Sequence, residues 1–518
     1  MKRIISLTLC AAMLLGLLAG CGIDPGVTDP TGDALVMEGQ DPSSIGPQQE
    51  VVIQEFSMCY YPDRSMNPLT CNDFTNRALF SLMYQGLFAA DSNYEVTPIL
   101  CKQYQVTPDN KTWTFYIEEA YFSDGTRLTI DDVFATYQAA QKCNYYKGRF
   151  THVYEILLSE DGGITFALYN PFENLPLLLD IPILKASEIE AENPLGTGPY
   201  RLTDTISGVY LQQVENWWCS AQLAVNALSI PLIAAESPSQ IRDEFEFSDV
   251  GLVCTDPGTA SYADYRCDFE LWDCDNGVML YLGCNVLLSD FFSDEGVRAA
   301  LTHAIDRQQI VDDIYRGLAL PTTLCTSPRS PYYSTSLAIQ YEHDSMQFIE
   351  ALSNYGLVMN HATLLVNSDD SMRLRTARAI AEMLTECGLP TVVDEQDGSS
   401  YRGKLSRGEY DLYLGQTKLS PNMDLSEFFR NWGAMSINGV ANNEIYALCK
   451  DALANQGNYY NMLKAIADDG RICPILFSGN FVYADRGLLT NLSPSRDNVF
   501  YYDLGKTMED CQIPTIYN

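Results

Sequence analysis

Apolar and polar positions alternate along Thr112-Trp113-Thr114-Phe115-Tyr116-Ile117, the two-residue period of a strand with one buried face. From Asn76 to Phe88 the spacing becomes helical, with Leu79, Leu82, Met83 and Leu87 on one side. Val51 to Phe56 is a short apolar strand candidate, and Asp124-Gly125 marks a turn. Thr129 with Asp132 forms a capping box that predicts a helix through about Lys142. Ser293 is the predicted N-cap of a second helix, with Asp294 and Glu295 at the positive end of its dipole. Val297, Leu301, Ala304 and Ile305 form its apolar stripe, and Gly317 and Pro321 end the segment.

Residues 362–415 alternate between the two periods. The pattern predicts a strand over Ala362 to Asn367, a helix over Ser371 to Cys387 stopped by Gly388, and a strand over Pro390 to Asp394. A short helix over Tyr401 to Arg407 and a strand over Tyr410 to Gly415 follow. This β-α-β-α-β order implies a parallel sheet of the α/β class with helices on its faces. Ligands of such sheets bind beyond the carboxyl ends of the strands.

The N-terminus reads differently. Met1-Lys2-Arg3 and the apolar run Ile4 to Leu18 have the form of a secretion signal, and Leu18-Ala19-Gly20-Cys21 resembles a bacterial lipobox. That resemblance implies a lipoprotein signal peptide over 1–20, cleavage before Cys21 and diacylglycerol on its sulfur. An ordinary signal peptide that happens to hold a Cys is the alternative. Residues 21–50 are rich in Gly, Pro, Asp, Ser and Gln and read as a lipidated flexible tether. No later segment has eighteen uninterrupted apolar residues, so the lipid is the expected membrane contact. The expected location is the outer face of the bacterial cytoplasmic membrane.

Composition narrows the function. The length of 518 residues suggests roughly three domains. With 67 acidic against 32 basic residues the formal net charge is −35, which repels phosphate backbones and argues against nucleic-acid binding. Only 4 His are present, none within one helical turn of another, so no HExxH zinc site exists. Of 16 Cys, fourteen lie beyond Cys21 with no CxxC spacing, which leaves disulfides and buried free thiols both open. The sequence has no GxSxG elbow and no GxxxxGK[ST] loop. Gly196-Thr197-Gly198-Pro199-Tyr200 lacks the Lys of a phosphate loop, and Pro199 lacks the N–H that such a loop uses. Asp131-Asp132, Asp369-Asp370 and Asp468-Asp469 read as helix caps and solvated loops. No catalytic residue, cofactor or metal site is expected, and the chain is not read as an enzyme. The 32 Tyr suit a wet, polar ligand cavity.

Eight collinear segments resemble the family 5 extracellular solute-binding proteins of ABC importers, the oligopeptide, dipeptide and nickel class. They begin with Asn67-Pro68-Leu69, Ser81-Leu82-Met83-Tyr84-Gln85-Gly86-Leu87-Phe88 and Val96-Thr97-Pro98. Asp109 to Ile117, Phe122-Ser123-Asp124-Gly125-Thr126 to Asp131-Asp132-Val133, and Gly196 to Tyr200 follow. The helix ending Ala304-Ile305-Asp306-Arg307 and the stretch Gly408-Glu409-Tyr410-Asp411 complete the set. The chain departs from the family at Glu118-Glu119, where a basic residue is usual, and at Asp424-Leu425, where the family has Asp-Pro.

The resemblance implies a two-lobed periplasmic-binding-protein-like (type II) α/β fold with an additional third domain. Domain I would comprise 51–66, 190–284 and 485–518, domain II 67–189, and domain III 285–484. It implies a monomer that captures a small solute, a peptide in the main reading, by hinge closure and delivers it to ABC permease subunits. Hinges would lie near 280–286 and 484–486. Asp424 would hold the peptide amine, and Tyr60, Tyr61, Tyr281, Asn285 and Trp432 would contribute to the ligand-binding cleft. Competing solutes on the same fold are oligosaccharides and metal chelates, and a peptide-sensing lipoprotein receptor without transport is the reading from another class.

Overall fold

The stretch with alternating periods folds as strand Ala362–Asn367, helix Ser371–Glu386, strand Thr391–Gln396, helix Gly398–Arg407 and strand Leu412–Lys418. The structure is a computed structural model and describes residues 55–219, 225–247, 250–255, 267–289, 291–355, 361–489 and 492–513. The signal, lipid and tether expectations over 1–50, with Cys21, lie outside the described residues. Ala362–Asn367 runs between the other two strands and pairs parallel with both. Its Leu364 and Val366 enter one apolar cluster and Leu365 another, so both faces are buried and the strand reads as a continuous apolar run. Asp370 starts the helix by accepting from the amides of Met372 and Arg373 at 3.1 and 3.0 Å. Gly388, at φ +91°, supplies the left-handed step that ends it.

These strands form one side of an 11-stranded sheet. Two long antiparallel strands, Glu270–Cys284 and Ile472–Ala484, run through its middle. Val278 to Cys284 pair with Leu412–Lys418, and this joins the first half. Phe481 to Ala484 pair with Leu252–Thr255, and the sheet continues through Met58–Tyr60, Ser229–Ala234, Gly208–Gln213 and Tyr200–Thr205 to form the second half. Where the halves meet, the register of the long pair breaks. Asp275 opposes Gly479 and Met279 opposes Phe477, so three residues face one. Gly277, at φ +71°, turns that bulge. The crossover therefore lies at 275–279 and 477–479, whereas hinges were expected at 280–286 and 484–486. The expected cuts fall toward the ends of the long strands, and the first of them takes in a second register shift, between Leu280 and Tyr281.

A separate four-stranded sheet, ordered Cys101–Val106, Thr112–Ile117, Ile164–Leu168 and Val153–Leu158, stands within residues 67–189. Its core joins that of the second half in one apolar cluster. The capping box is present: Asp132 Oδ2 accepts from the Thr129 amide at 2.9 Å, ahead of helix Ile130–Ala140. Gly196 and Gly198 are close-packing residues. A Cβ on Gly198 would lie 2.4 Å from the Met83 carbonyl carbon, and the Gly198 amide donates to Met83 O at 3.0 Å. Two of the family-like segments are thus in direct contact.

Some local readings fail. Of the strand expected over Val51 to Phe56, residues 51–54 lie outside the described residues, Glu55 and Phe56 are outside any strand, and the first described strand is Met58–Tyr60. The helical spacing over 76–88 resolves into Phe74–Ala78 and Phe80–Met83, and Phe88 opens a strand. Asp294, not Ser293, caps helix Glu295–Leu301, and Asp306 caps a further helix, Arg307–Tyr315. A carboxylate next to a hydroxyl won the cap position by accepting from two amides, those of Gly296 and Val297. The fourteen cysteines beyond Cys21 form no disulfide among the described residues, and most are buried. Burial pushes the Cys59 thiol up to about 12 and Cys254 well above its ordinary value, which makes both poor nucleophiles. No helix among the described residues is long and apolar enough to cross a membrane.

Candidate functional site

A cavity of about 430 Å³ opens at the seam between the sheet halves. Strand Leu412–Lys418 delivers Thr417, Lys418 and Ser420 to it from its carboxyl end, where an α/β sheet presents ligands. The loop after that strand adds Asp424 and Glu427. The 3₁₀ turn Lys147–Phe150 adds Lys147 and Arg149 from the other side, and Arg496 comes from the chain that follows the second long strand.

Asp424 meets the wall as a buried, fully bonded carboxylate. Its Oδ2 lies 2.8 Å from His152 Nε2, and Oδ1 accepts from the Ser426 amide at 2.8 Å. Burial alone would raise its pKa, but His152 and the Ser426 donors hold it below the ordinary 3.8. Burial likewise disfavours the His152 imidazolium, and Asp424 more than offsets this, so His152 lies above 6.5. His152 immediately precedes strand Val153–Leu158 of the four-stranded sheet, and Asp424 follows strand Leu412–Lys418 of the first half of the large one. The pair therefore bridges the seam.

Behind the cavity is a buried charge cluster. Asp497 accepts from Arg149 at 2.8 Å and from Tyr145 Oη at 2.8 Å, with Lys418 Nζ at 3.3 Å. Burial opposes its charge, yet Lys418, Arg149 and Arg496 hold it well below the ordinary carboxylate range. Arg149 also binds Asp180. Arg77 stacks 3.4 Å from the Tyr145 ring centroid.

The other expected contacts lie elsewhere. Tyr281 is in the core against Tyr413 and Phe428, with ring centroids at 5.8 and 5.3 Å. Asn285 is fully buried, and its amide donates to Gly408 O and Tyr410 O at 3.0 and 2.9 Å, a structural task that spends both donors. Tyr61 is buried beneath the Arg64 guanidinium, and Tyr60 is half-buried on the edge of a core cluster. Neither lines the cavity. Trp432 is 96% exposed, at φ +62°, on the loop between cavity residues Phe428 and Ala434. Of these six, Asp424 alone is on the cavity wall. Lys418, Arg149, Arg496 and His152 were missed. The carboxyl-end rule pointed toward Lys418, three residues past the expected strand end. The others carry no local signal.

Residues 95–439 match the family model for bacterial extracellular solute-binding proteins, family 5 middle region. Glutathione-binding protein GsiB of Escherichia coli K12 is 22% identical over 395 residues, covering 71% of this chain and 76% of that protein. Among solved structures, the ABC transporter substrate-binding protein CtaP of Listeria monocytogenes superposes with a TM-score of 0.71 at 18% identity, over 88% of this chain and all but 1% of the other. The oligopeptide-binding protein AppA of Bacillus subtilis, solved with a nonapeptide, gives 0.62 at 19% identity over 88% of this chain and 100% of its own. These likenesses identify the fold as the type II periplasmic-binding architecture. A split α/β sheet crossed by two long strands, a cavity at the crossing and a family model matched over most of the chain agree: this chain belongs to the family 5 bacterial extracellular solute-binding proteins.

Proposed function

We propose that the protein is the solute-binding lipoprotein of an ABC importer, anchored through Cys21 on the outer face of the cytoplasmic membrane, and that it carries short peptides to membrane permease subunits. The observation that carries the reading is the seam cavity with the Asp424 carboxylate on its wall; in this reading that carboxylate accepts a peptide amine. A volume of about 430 Å³ is at the small end of the range of about 300–1,000 Å³ for compact ligand sites, which favours a solute of a few residues over a long peptide. A bound amine would replace His152 as the cationic partner of Asp424. The bulge at 275–279 serves as the flexure, and solute stabilises the closed arrangement by its preference for it. The reading follows the domain division expected from the sequence, a monomeric state and no catalytic step.

Native mass spectrometry of the mature chain, purified without refolding, tests the solute. The expected result is a set of bound masses that fragment as short peptides and are lost from Asp424→Ala. A clean apo mass that a peptide library does not move overturns the peptide reading. The anchor is tested separately: Cys21→Ser should release the chain from the membrane fraction.

A further inference from the structure

The Asp424 carboxylate on the cavity wall has a cationic partner built into the chain. His152 Nε2 lies 2.8 Å from Asp424 Oδ2 and 3.3 Å from Ser426 Oγ. The two side chains are 14% and 10% exposed, so water screens the pair weakly. The other contacts of the carboxylate come from Ser426, whose amide donates to Oδ1 at 2.8 Å and whose hydroxyl donates to Oδ2 at 3.0 Å. Of these three groups the imidazole alone changes charge near neutral pH. It also comes from the other side of the seam, ahead of strand Val153–Leu158, whereas Asp424 follows strand Leu412–Lys418.

The surrounding charges set the state of the pair. Burial opposes the His152 charge, Asp424 and then Glu427 favour it, and Arg430 opposes it; the balance lies above the ordinary 6.5. Arg430 is itself paired with Glu427 at 2.8 Å, which mutes both. Cys449, on helix Asn443–Ala454, and Tyr459 feel the Asp424 charge from behind. Burial pushes the thiol and the hydroxyl up, so both stay neutral near pH 7. Lys418 is the other cavity group that titrates in this range. Burial pushes its ammonium down to about 7, and its carboxylate partner is Asp497, not Asp424.

We propose that His152 is an internal rival of the solute: its imidazolium occupies the carboxylate that a solute amine needs, and so makes selectivity for amine-bearing solutes depend on proton concentration. The inference rests on Asp424 being the amine acceptor and adds the residue that sets how strongly that acceptor selects. Below the folded pKa of His152 an incoming ammonium replaces an imidazolium, one cation for another, and the exchange gains little. The displaced imidazolium has lost its anionic partner, its pKa falls, and it releases protons to solvent. Above the folded pKa the displaced group is a neutral imidazole, and the ammonium gains the full attraction of Asp424. A solute without an amine leaves the pair intact at either pH.

The test titrates the mature chain calorimetrically with two tripeptide libraries, one with free amino termini and one acetylated there. The affinity ratio of free to acetylated peptides should rise about 10-fold between roughly pH 5.5 and 7.5, where the peptide amine stays charged. Both libraries carry any contribution from Lys418, so the ratio isolates His152. Near pH 6 the free-amine library should release more protons than the acetylated one, read from buffers of different ionisation enthalpy. His152→Gln, a neutral donor to Asp424, should tighten free-amine binding at the acid end, flatten the ratio and abolish the extra release. In the wild type the His152 imidazole, followed by NMR among only 4 His, should titrate at a lower pH with a free-amine peptide bound, which needs no variant to fold. A ratio above one that stays constant with pH, an imidazole titration that the peptide does not move, or a rise that survives in His152→Gln overturns the rivalry and leaves Asp424 as the amine acceptor. Equal affinity of the two libraries at every pH overturns the acceptor and the rivalry together and leaves the cavity as the solute site. Failure of both to bind at millimolar concentration overturns the cavity reading as well.

Discussion

The parallel-strand region 362–418 and the seam cluster behind the cavity are built in opposite ways. The first uses one continuous stretch. Each strand there has a partner within about fifty residues, although Leu412–Lys418 pairs also with the distant Val278 to Cys284, and each helix carries its own cap, Asp370 or Asp397. The second draws Arg77, Tyr145, Arg149, Lys418, Arg496 and Asp497 from positions spread over four-fifths of the chain. The first is held by apolar burial, which tolerates small errors. The second is held by charges out of water, where each partner is indispensable to the rest. Regular structure can be encoded locally, whereas a ligand site at a seam is assembled by the fold.

The comparison can be broken most forcefully at Arg149. Arg149→Leu leaves Asp180 and Asp497 buried without their closest cation, and should cost about 3–5 kcal/mol in chemical unfolding. Adding Asp497→Asn should recover part of that loss. Strict additivity would show that the cluster does not act as a unit. In the parallel region Leu365→Ala, at a fully buried position, should cost about 2–5 kcal/mol through its cavity and leave solute binding intact. Asp370→Ala should cost about 1 kcal/mol, the value of a single cap. A loss as large as that at Arg149 would show that the region is not locally encoded.

The smallest effect should be the pH dependence of the His152–Asp424 bridge. His152 has its folded pKa raised above 6.5, so its contribution is full below that value and is lost as pH rises through the folded pKa. Asp424 has its folded pKa lowered below 3.8, so its contribution is present above that value and is lost as pH falls through the folded pKa. The difference in Tm between the wild type and His152→Gln should therefore be largest between pH 3.8 and 6.5 and shrink on either side. A difference independent of pH would mean that the pair contributes shape and not charge.

Legibility in the sequence followed this division. Thr112–Ile117 and Ala362–Asn367 were read with the boundaries the structure has, because a strand's period is written in consecutive residues. The capping box at Thr129 was legible for the same reason. Tyr281 and Asn285 were placed in the right strand and its exit, but their side chains turn into the core, since Asn285 is needed by the carbonyls of Gly408 and Tyr410 more than 120 residues later. Nothing near Arg496 in the chain announces that its guanidinium will rest against Gly277, where a Cβ would come within 2.3 Å of Nη1.

By itself the sequence determined the secondary elements with clear periods, the α/β class, the order of segments shared with the family, and the acidic charge. Those properties depend on residue type and on spacing of a few positions. Only the tertiary structure decided where the long strands cross, which of the expected residues reach the cavity, and which cations lack acceptors. Burial and hydrogen-bond satisfaction are properties of neighbours in space, and at this seam the neighbours come from opposite ends of the chain.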